Sequence, residues 1–123
     1  QLNTQERLLS VYSDAIYTFT MDLKQSGNLD NTLILTFSEF GRRVAQNASG
    51  GTDHGTANNV FIIGNILKKQ GFYNTAPVLN SLEEGDLKYE IDFRSIYATI
   101  LKKQLNTSHQ SILAKTFDSL YFL

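Results

Sequence analysis

The chain has two histidines, and one of them, His54, follows Asp53 inside a polar stretch rich in glycine. Glu39 stands upstream, beside Ser38, where an apolar run ends. Carboxylates and imidazole are ligands for zinc, manganese and similar divalent ions. If the fold brings Glu39, Asp53 and His54 together, they form a candidate metal set; three protein ligands are the usual requirement. Backbone N–H groups around Gly50, Gly51 and Thr52 suit an anion-binding nest. Arg42 and Arg43 suit a clamp on a pair of phosphate or sulfate oxygens. Each residue also has a plainer reading. A histidine in a polar loop commonly only hydrogen-bonds. Asp53 can cap a turn at Gly55. Glu39 and the arginines can form solvated pairs of small energetic worth. Ser38 has no base fixed beside it by sequence, which weakens it as a nucleophile. His109 reads as a surface residue. Asn47-Ala48-Ser49 and Asn106-Thr107-Ser108 match the glycosylation acceptor pattern, which recurs by chance.

Stepping outward, the apolar pattern predicts the elements that would hold these residues. Leu8, Tyr12, Ile16, Phe19 and Leu23 recur at helical spacing, so residues 4–26 read as an amphipathic helix whose stripe packs on a sheet. Gly27 and Asn28 supply its stop. Residues 33–37 and 60–63 are short apolar runs that read as strands buried on both faces, the pattern of a parallel sheet. Between them, residues 38–59 lack apolar periodicity and read as a long loop, a length that is usually functional or disordered. In open α/β sheets, ligands bind beyond the carboxyl ends of strands, which is where Ser38 and Glu39 would stand. Residues 66–73 read as a turn with an edge strand, and residues 87–91 as a short extended piece. Asp92 is a good N-cap for a helix with Phe93, Ile96, Tyr97, Ile100, Leu101 and Leu105 on its apolar face. Lys102 and Lys103 suit the negative pole of that helix. Residues 108–116 offer another short helix, and residues 120–123 a last strand or a frayed end.

Composition excludes several functions. Net charge is −1, and basic residues never cluster beyond a pair, which argues against nucleic acid as the main partner. No apolar run approaches the roughly 20 residues of a membrane span. The opening QLNTQERLL lacks the apolar core of a signal peptide. There is no cysteine, so disulfides, thiolate zinc sites and cysteine nucleophiles are excluded. The elements are too few to close a large parallel sheet. The chain therefore reads as an α/β segment, residues 1–123, from the C-terminal part of a longer protein whose N-terminal remainder completes the fold.

SEFGRRVAQNASGGTDHGTANNVFIIG and GDLKYEIDFRSIYATIL closely resemble an uncharacterised bacterial family, domain of unknown function 1501, over nearly the whole chain. That family is in turn similar to the alkaline phosphatase-like superfamily. The superfamily includes sulfatases, phosphodiesterases and cofactor-independent phosphoglycerate mutases, with an α/β/α sandwich, a two-metal site and a Ser or Thr nucleophile. The resemblance implies the C-terminal part of such a sandwich, with a small, mostly parallel sheet and flanking helices. The superfamily's Ser-Asp-His-Gly motif has its counterpart in Ser38-Glu39-Phe40-Gly41, which keeps an acid and loses an imidazole. Its last metal-binding histidine, just before a strand, has its counterpart in His54. Asp92 resembles a structural Thr-Asp-Ile step. Two functions follow. One is a segment of a metal-dependent phosphate- or sulfate-ester hydrolase, inactive alone because the nucleophile lies elsewhere. In it His54, Asp53 and Glu39 hold zinc or manganese, and Arg42, Arg43, Ser38, Gly51 and Thr52 hold the small anionic substrate. The other is a non-catalytic binding or assembly module that kept the fold. Exported bacterial relatives fit the resemblance.

Overall fold

The computed structural model describes residues 2–123. Helix α1 spans Leu2–Gln25, free of the lone proline and of glycine. It stops in a Schellman turn. Gly27 takes φ +72°, a conformation open to glycine at little cost, while Asn28 N–H donates to Leu23 O at 2.8 Å and Gly27 N–H to Lys24 O at 3.2 Å. The expected stripe is only partly covered: Tyr12, Ile16 and Leu23 are half-buried, while Leu8 and Phe19 remain exposed. Its contact with the sheet runs through Tyr12, whose hydroxyl lies 2.8 Å from Thr36 Oγ1 and whose ring meets Phe61.

Strand β1, Ile34–Thr36, pairs with β4, Phe61–Ile63, in antiparallel register, Ile34 opposite Ile63 and Thr36 opposite Phe61. The parallel arrangement expected from the two apolar runs is therefore replaced. A parallel pair needs a crossover of a dozen or more residues that carries the chain back to the starting end. Here the intervening residues fold on themselves, so β4 simply returns beside β1. Nor are the strands covered throughout, since Phe61 is exposed. Alternation along β1 directs Thr36 toward α1 and Leu35 toward the C-terminal helices. Leu35 borders a narrow apolar groove of about 260 Å³ with Tyr97, Ile100, Leu101, Ile112 and Leu113.

The expected long loop is a β-hairpin. Strand β2, Gly41–Gln46, pairs antiparallel with β3, Thr52–Gly55. Its sequence hides this because neither strand alternates apolar with polar side chains, and the register shifts between Arg42 and Gln46. A second, tighter hairpin joins β5, Leu82–Glu83, to β6, Asp86–Leu87. Its two loop residues, Glu84 and Gly85, both have positive φ, as a twisted two-residue turn requires. Among the described residues, every sheet is a two-stranded antiparallel ladder. The chain is thus a mixture of helices and strands, but not a parallel α/β sheet. Residues 66–73 form no strand.

Helix α2, Phe93–Lys103, opens as expected on Asp92, whose carboxylate accepts from Arg94 N–H at 2.9 Å. Its buried residues are Ile96, Ala98 and Thr99, while Phe93 and Leu105 are exposed. Helix α3, His109–Leu113, follows. The last residues are neither strand nor frayed. Phe122 is buried, its carbonyl accepts from Lys68 N–H at 3.0 Å, and Tyr121 N–H donates to Tyr73 Oη at 2.8 Å. Thr99 fixes the same tail. Its hydroxyl donates to Ser95 O and accepts Leu120 N–H at 2.8 Å.

Candidate functional site

The hairpin turn is built by Asn47. Its Oδ1 accepts from Ser49 N–H at 3.1 Å and Gly51 N–H at 3.0 Å, an Asx-type turn, and Gly50 takes φ +71°. Those amides serve the turn itself, so the expected anion nest at Gly51 is already filled by a side-chain oxygen. Asn47 Nδ2 donates to Asp53 Oδ1 at 2.9 Å, which ties the acid to the turn. The other end of the hairpin is closed by glycine. A Cβ on Gly41 would lie 1.6 Å from Ala57 O, and one on Gly55 would lie 2.8 Å from Asp86 Oδ1. Backbone can approach this closely only where no side chain intervenes.

Register divides the hairpin into two faces. Arg42 lies opposite His54, and Gly41 opposite Gly55. Successive residues of a strand point to opposite sides, so Arg42 and His54 share one face, while Arg43 starts on the other with the paired glycines. The two arginines have correspondingly different partners. Arg43 Nε lies 3.5 Å from Asp86 Oδ1, and its Nη2 donates to Glu84 O at 3.4 Å, so Arg43 ties this hairpin to the β5–β6 hairpin. Arg42 Nη1 donates to Thr52 O at 2.9 Å, and its other donors remain available. The imidazole of His54 is stacked on the Phe40 ring, with centroids 3.8 Å apart and planes inclined by 26°. The Arg42 guanidinium carbon lies 5.6 Å from the same Phe40 ring centre. Phe40 is half-buried and His54 exposed, so the phenyl ring backs the imidazole and leaves its outer face in solvent.

A shallow depression of about 560 Å³ lies here, lined by Arg42, Arg43, Asn47, Thr52, Asp53 and His54. It gathers five of the residues expected to act, namely Arg42, Arg43, Thr52, Asp53 and His54. Ser38, Glu39 and Gly51 do not line it. Ser38 Oγ donates to Phe40 O at 3.1 Å, shaping the entry to β2. Asp53 and His54, as neighbours in β3, start from opposite sides of the strand. Among the described residues, no three His, Cys, Asp or Glu side chains gather where one cation could bind. The donors of this chain therefore do not by themselves fit a divalent metal. Three contributors are not evident from sequence. Asn47 lies in a glycosylation match, and the Gly50-Gly51 pair after it is the signal that points to a turn. Phe40 stands where the superfamily motif has an imidazole. Asp86 follows Glu-Gly, the turn dipeptide that could have marked it.

Elsewhere, Arg94 donates to Asp92 through Nε at 2.9 Å and holds that carboxyl below the ordinary carboxylate range. Hydrogen bonds from Asn74 and Thr75 lower Glu90 in the same way. His109 is half-buried, not a free surface residue, and its Nε2 accepts from Phe117 N–H at 3.4 Å. None of these groups borders the hairpin depression.

The fold and this surface define a small α/β chain that presents a cationic, partly aromatic hairpin. The chain belongs to the family described as protein of unknown function, DUF1501, whose model matches residues 1–122. No curated protein and no solved structure matches it. The alkaline phosphatase-like relationship has no support from these comparisons. Among the described residues, no helix is long and apolar enough to cross a membrane.

Proposed function

We propose that the β2–β3 hairpin binds a small oxyanion, a phosphate or a sulfate group, at the face shared by Arg42 and His54. The observation that carries this reading is the anchoring of Arg42. One guanidinium nitrogen is spent on Thr52 O, which orients the rest of a planar donor set suited to paired oxygens. His54 stands across the strand as a second donor, and Asp53 is drawn off toward Asn47 instead of opposing the anion. Arg43 supports the site by holding the two hairpins together.

This favours the binding-module reading over a complete catalytic site. The hydrolase reading is finer: a phosphate- or sulfate-ester hydrolase of alkaline phosphatase-like ancestry. It rests on the likeness of Ser38–Gly41 and His54–Phe61 to that superfamily's motifs. It needs the nucleophile and further metal ligands from outside these residues, with the N-terminal remainder of the protein as their source. Calorimetric titration with inorganic phosphate and with sulfate tests the binding reading. Saturable binding that Arg42→Ala weakens about tenfold or more is expected, in line with a charge-assisted bidentate contact worth about 1.5–3 kcal/mol. Unchanged binding in that variant would remove the assignment. For the hydrolase reading, metal analysis of the full-length protein is expected to find stoichiometric zinc or manganese, lost in His54→Ala.

A further inference from the structure

We infer that the hairpin site prefers an anion carried on a planar unsaturated ring, an aryl or nucleotide phosphate, over the same anion on an aliphatic group. This rests on the oxyanion reading above and names the ligand class of that site. Phe40 does not contribute a polar group, yet it occupies the same hairpin face, two residues before Arg42. Its ring lies flat against the His54 imidazole at 3.8 Å between centroids. Stacking fixes the imidazole plane from beneath, and His54 is otherwise exposed. A flat, fixed π-surface that faces solvent is a platform for another flat ring. Arg42 is the cross-strand partner of His54 on this face, and its guanidinium carbon lies 5.6 Å from the centre of the Phe40 ring, so positive charge stands in the same cluster as the stacked rings. A ligand whose ring covers the imidazole can therefore bring an attached phosphate to Arg42. An aliphatic phosphate reaches the same cation but leaves the platform uncovered. Sequence specificity is not implied, because every aromatic ring has a π-face.

The test compares inorganic phosphate, methyl phosphate and phenyl phosphate by calorimetric titration of the purified protein. Phenyl phosphate is expected to bind about tenfold more tightly than methyl phosphate, the scale of one ring stacked on an aromatic side chain. In His54→Ala that advantage is expected to vanish, phenyl and methyl phosphate then binding equally well, both more weakly than in the wild type because the imidazole donor is lost together with the stacking surface. Equal affinities for phenyl and methyl phosphate in the wild type would overturn the ring preference and leave the oxyanion site standing. A phenyl advantage that survives His54→Ala would also overturn it, because the ring would then sit elsewhere. Absence of binding for all three probes would overturn both readings. The wild-type comparison needs no variant, so a folding defect in His54→Ala cannot shelter the inference.

Discussion

The corner between α2 and the C-terminal tail and the β2–β3 hairpin solve opposite problems. At the corner, a polar group is buried and fully used. Thr99 has no exposed surface, and its hydroxyl both donates to Ser95 O and receives Leu120 N–H. At the hairpin, polar groups are exposed and only partly used. Arg42 spends one nitrogen on Thr52 O, and His54 is covered on one side. The corner is held by burial, since Ala98 and Phe122 are buried as well. The hairpin is held by backbone approach at Gly41, an asparagine turn and one ion pair. The lesson is that this chain keeps its rigid, satisfied polar contacts away from the surface where free donors collect.

The contrast breaks most severely at Gly41. Gly41→Ala places a Cβ 1.6 Å from Ala57 O, against backbone that cannot rotate away. A loss of about 3 kcal/mol is expected from such overpacking, together with loss of anion binding as the hairpin detaches. Chemical denaturation and phosphate titration of one sample check both. At the corner, Thr99→Val keeps the volume but strands the part-buried Leu120 N–H. Denaturation should show about 1 kcal/mol lost, the low end of the cost of an unsatisfied donor because this one is only part-buried, with anion affinity unchanged. A fall in anion affinity would show that the corner and the hairpin are coupled.

Asp92→Ala removes the α2 cap and should cost about 1 kcal/mol. Its pH signature is more telling. Because Arg94 holds the Asp92 carboxyl below its ordinary value, the folded form is favoured once the carboxylate is ionised. That contribution is complete above the unfolded value near 3.9 and fades as pH falls through the lower folded value, since unfolded chains then bind protons more readily. Wild-type stability should therefore fall below about pH 4 more steeply than that of Asp92→Asn. Parallel curves would remove the Arg94 pairing as the cause. The smallest effect is expected at Arg43. Arg43→Gln loosens a partly exposed ion pair with Asp86, worth at most about 1 kcal/mol. It should weaken anion binding far less than Arg42→Ala does, despite the adjacent positions and equal charge.

What the sequence made legible follows the same division. Asp92, the α2 apolar face and the stop at Gly27 and Asn28 are local signals, and each element forms where those residues place it. Of the expected metal set Glu39, Asp53 and His54 and the expected anion set Arg42, Arg43, Ser38, Gly51 and Thr52, the residues Arg42, Arg43, Thr52, Asp53 and His54 border one depression, while Ser38, Glu39 and Gly51 do not. The strand direction was not legible. Apolar runs such as 33–37 look alike whether a parallel or an antiparallel neighbour covers them, and only the path of residues 38–59 decides. That path was hidden because the hairpin buries little, so it has no reason to alternate polar with apolar side chains. The distinction between Arg42 and Arg43 was likewise invisible, since it depends on Asp86, which another hairpin delivers from far along the chain.

The most direct test of the account follows backbone amide shifts by NMR while inorganic phosphate is added. Saturable shifts centred on Arg42, Thr52 and His54 are expected, with the α2 and tail amides still. Shifts spread over the lysines at 102 and 103, or no saturable shift in the hairpin, would contradict it.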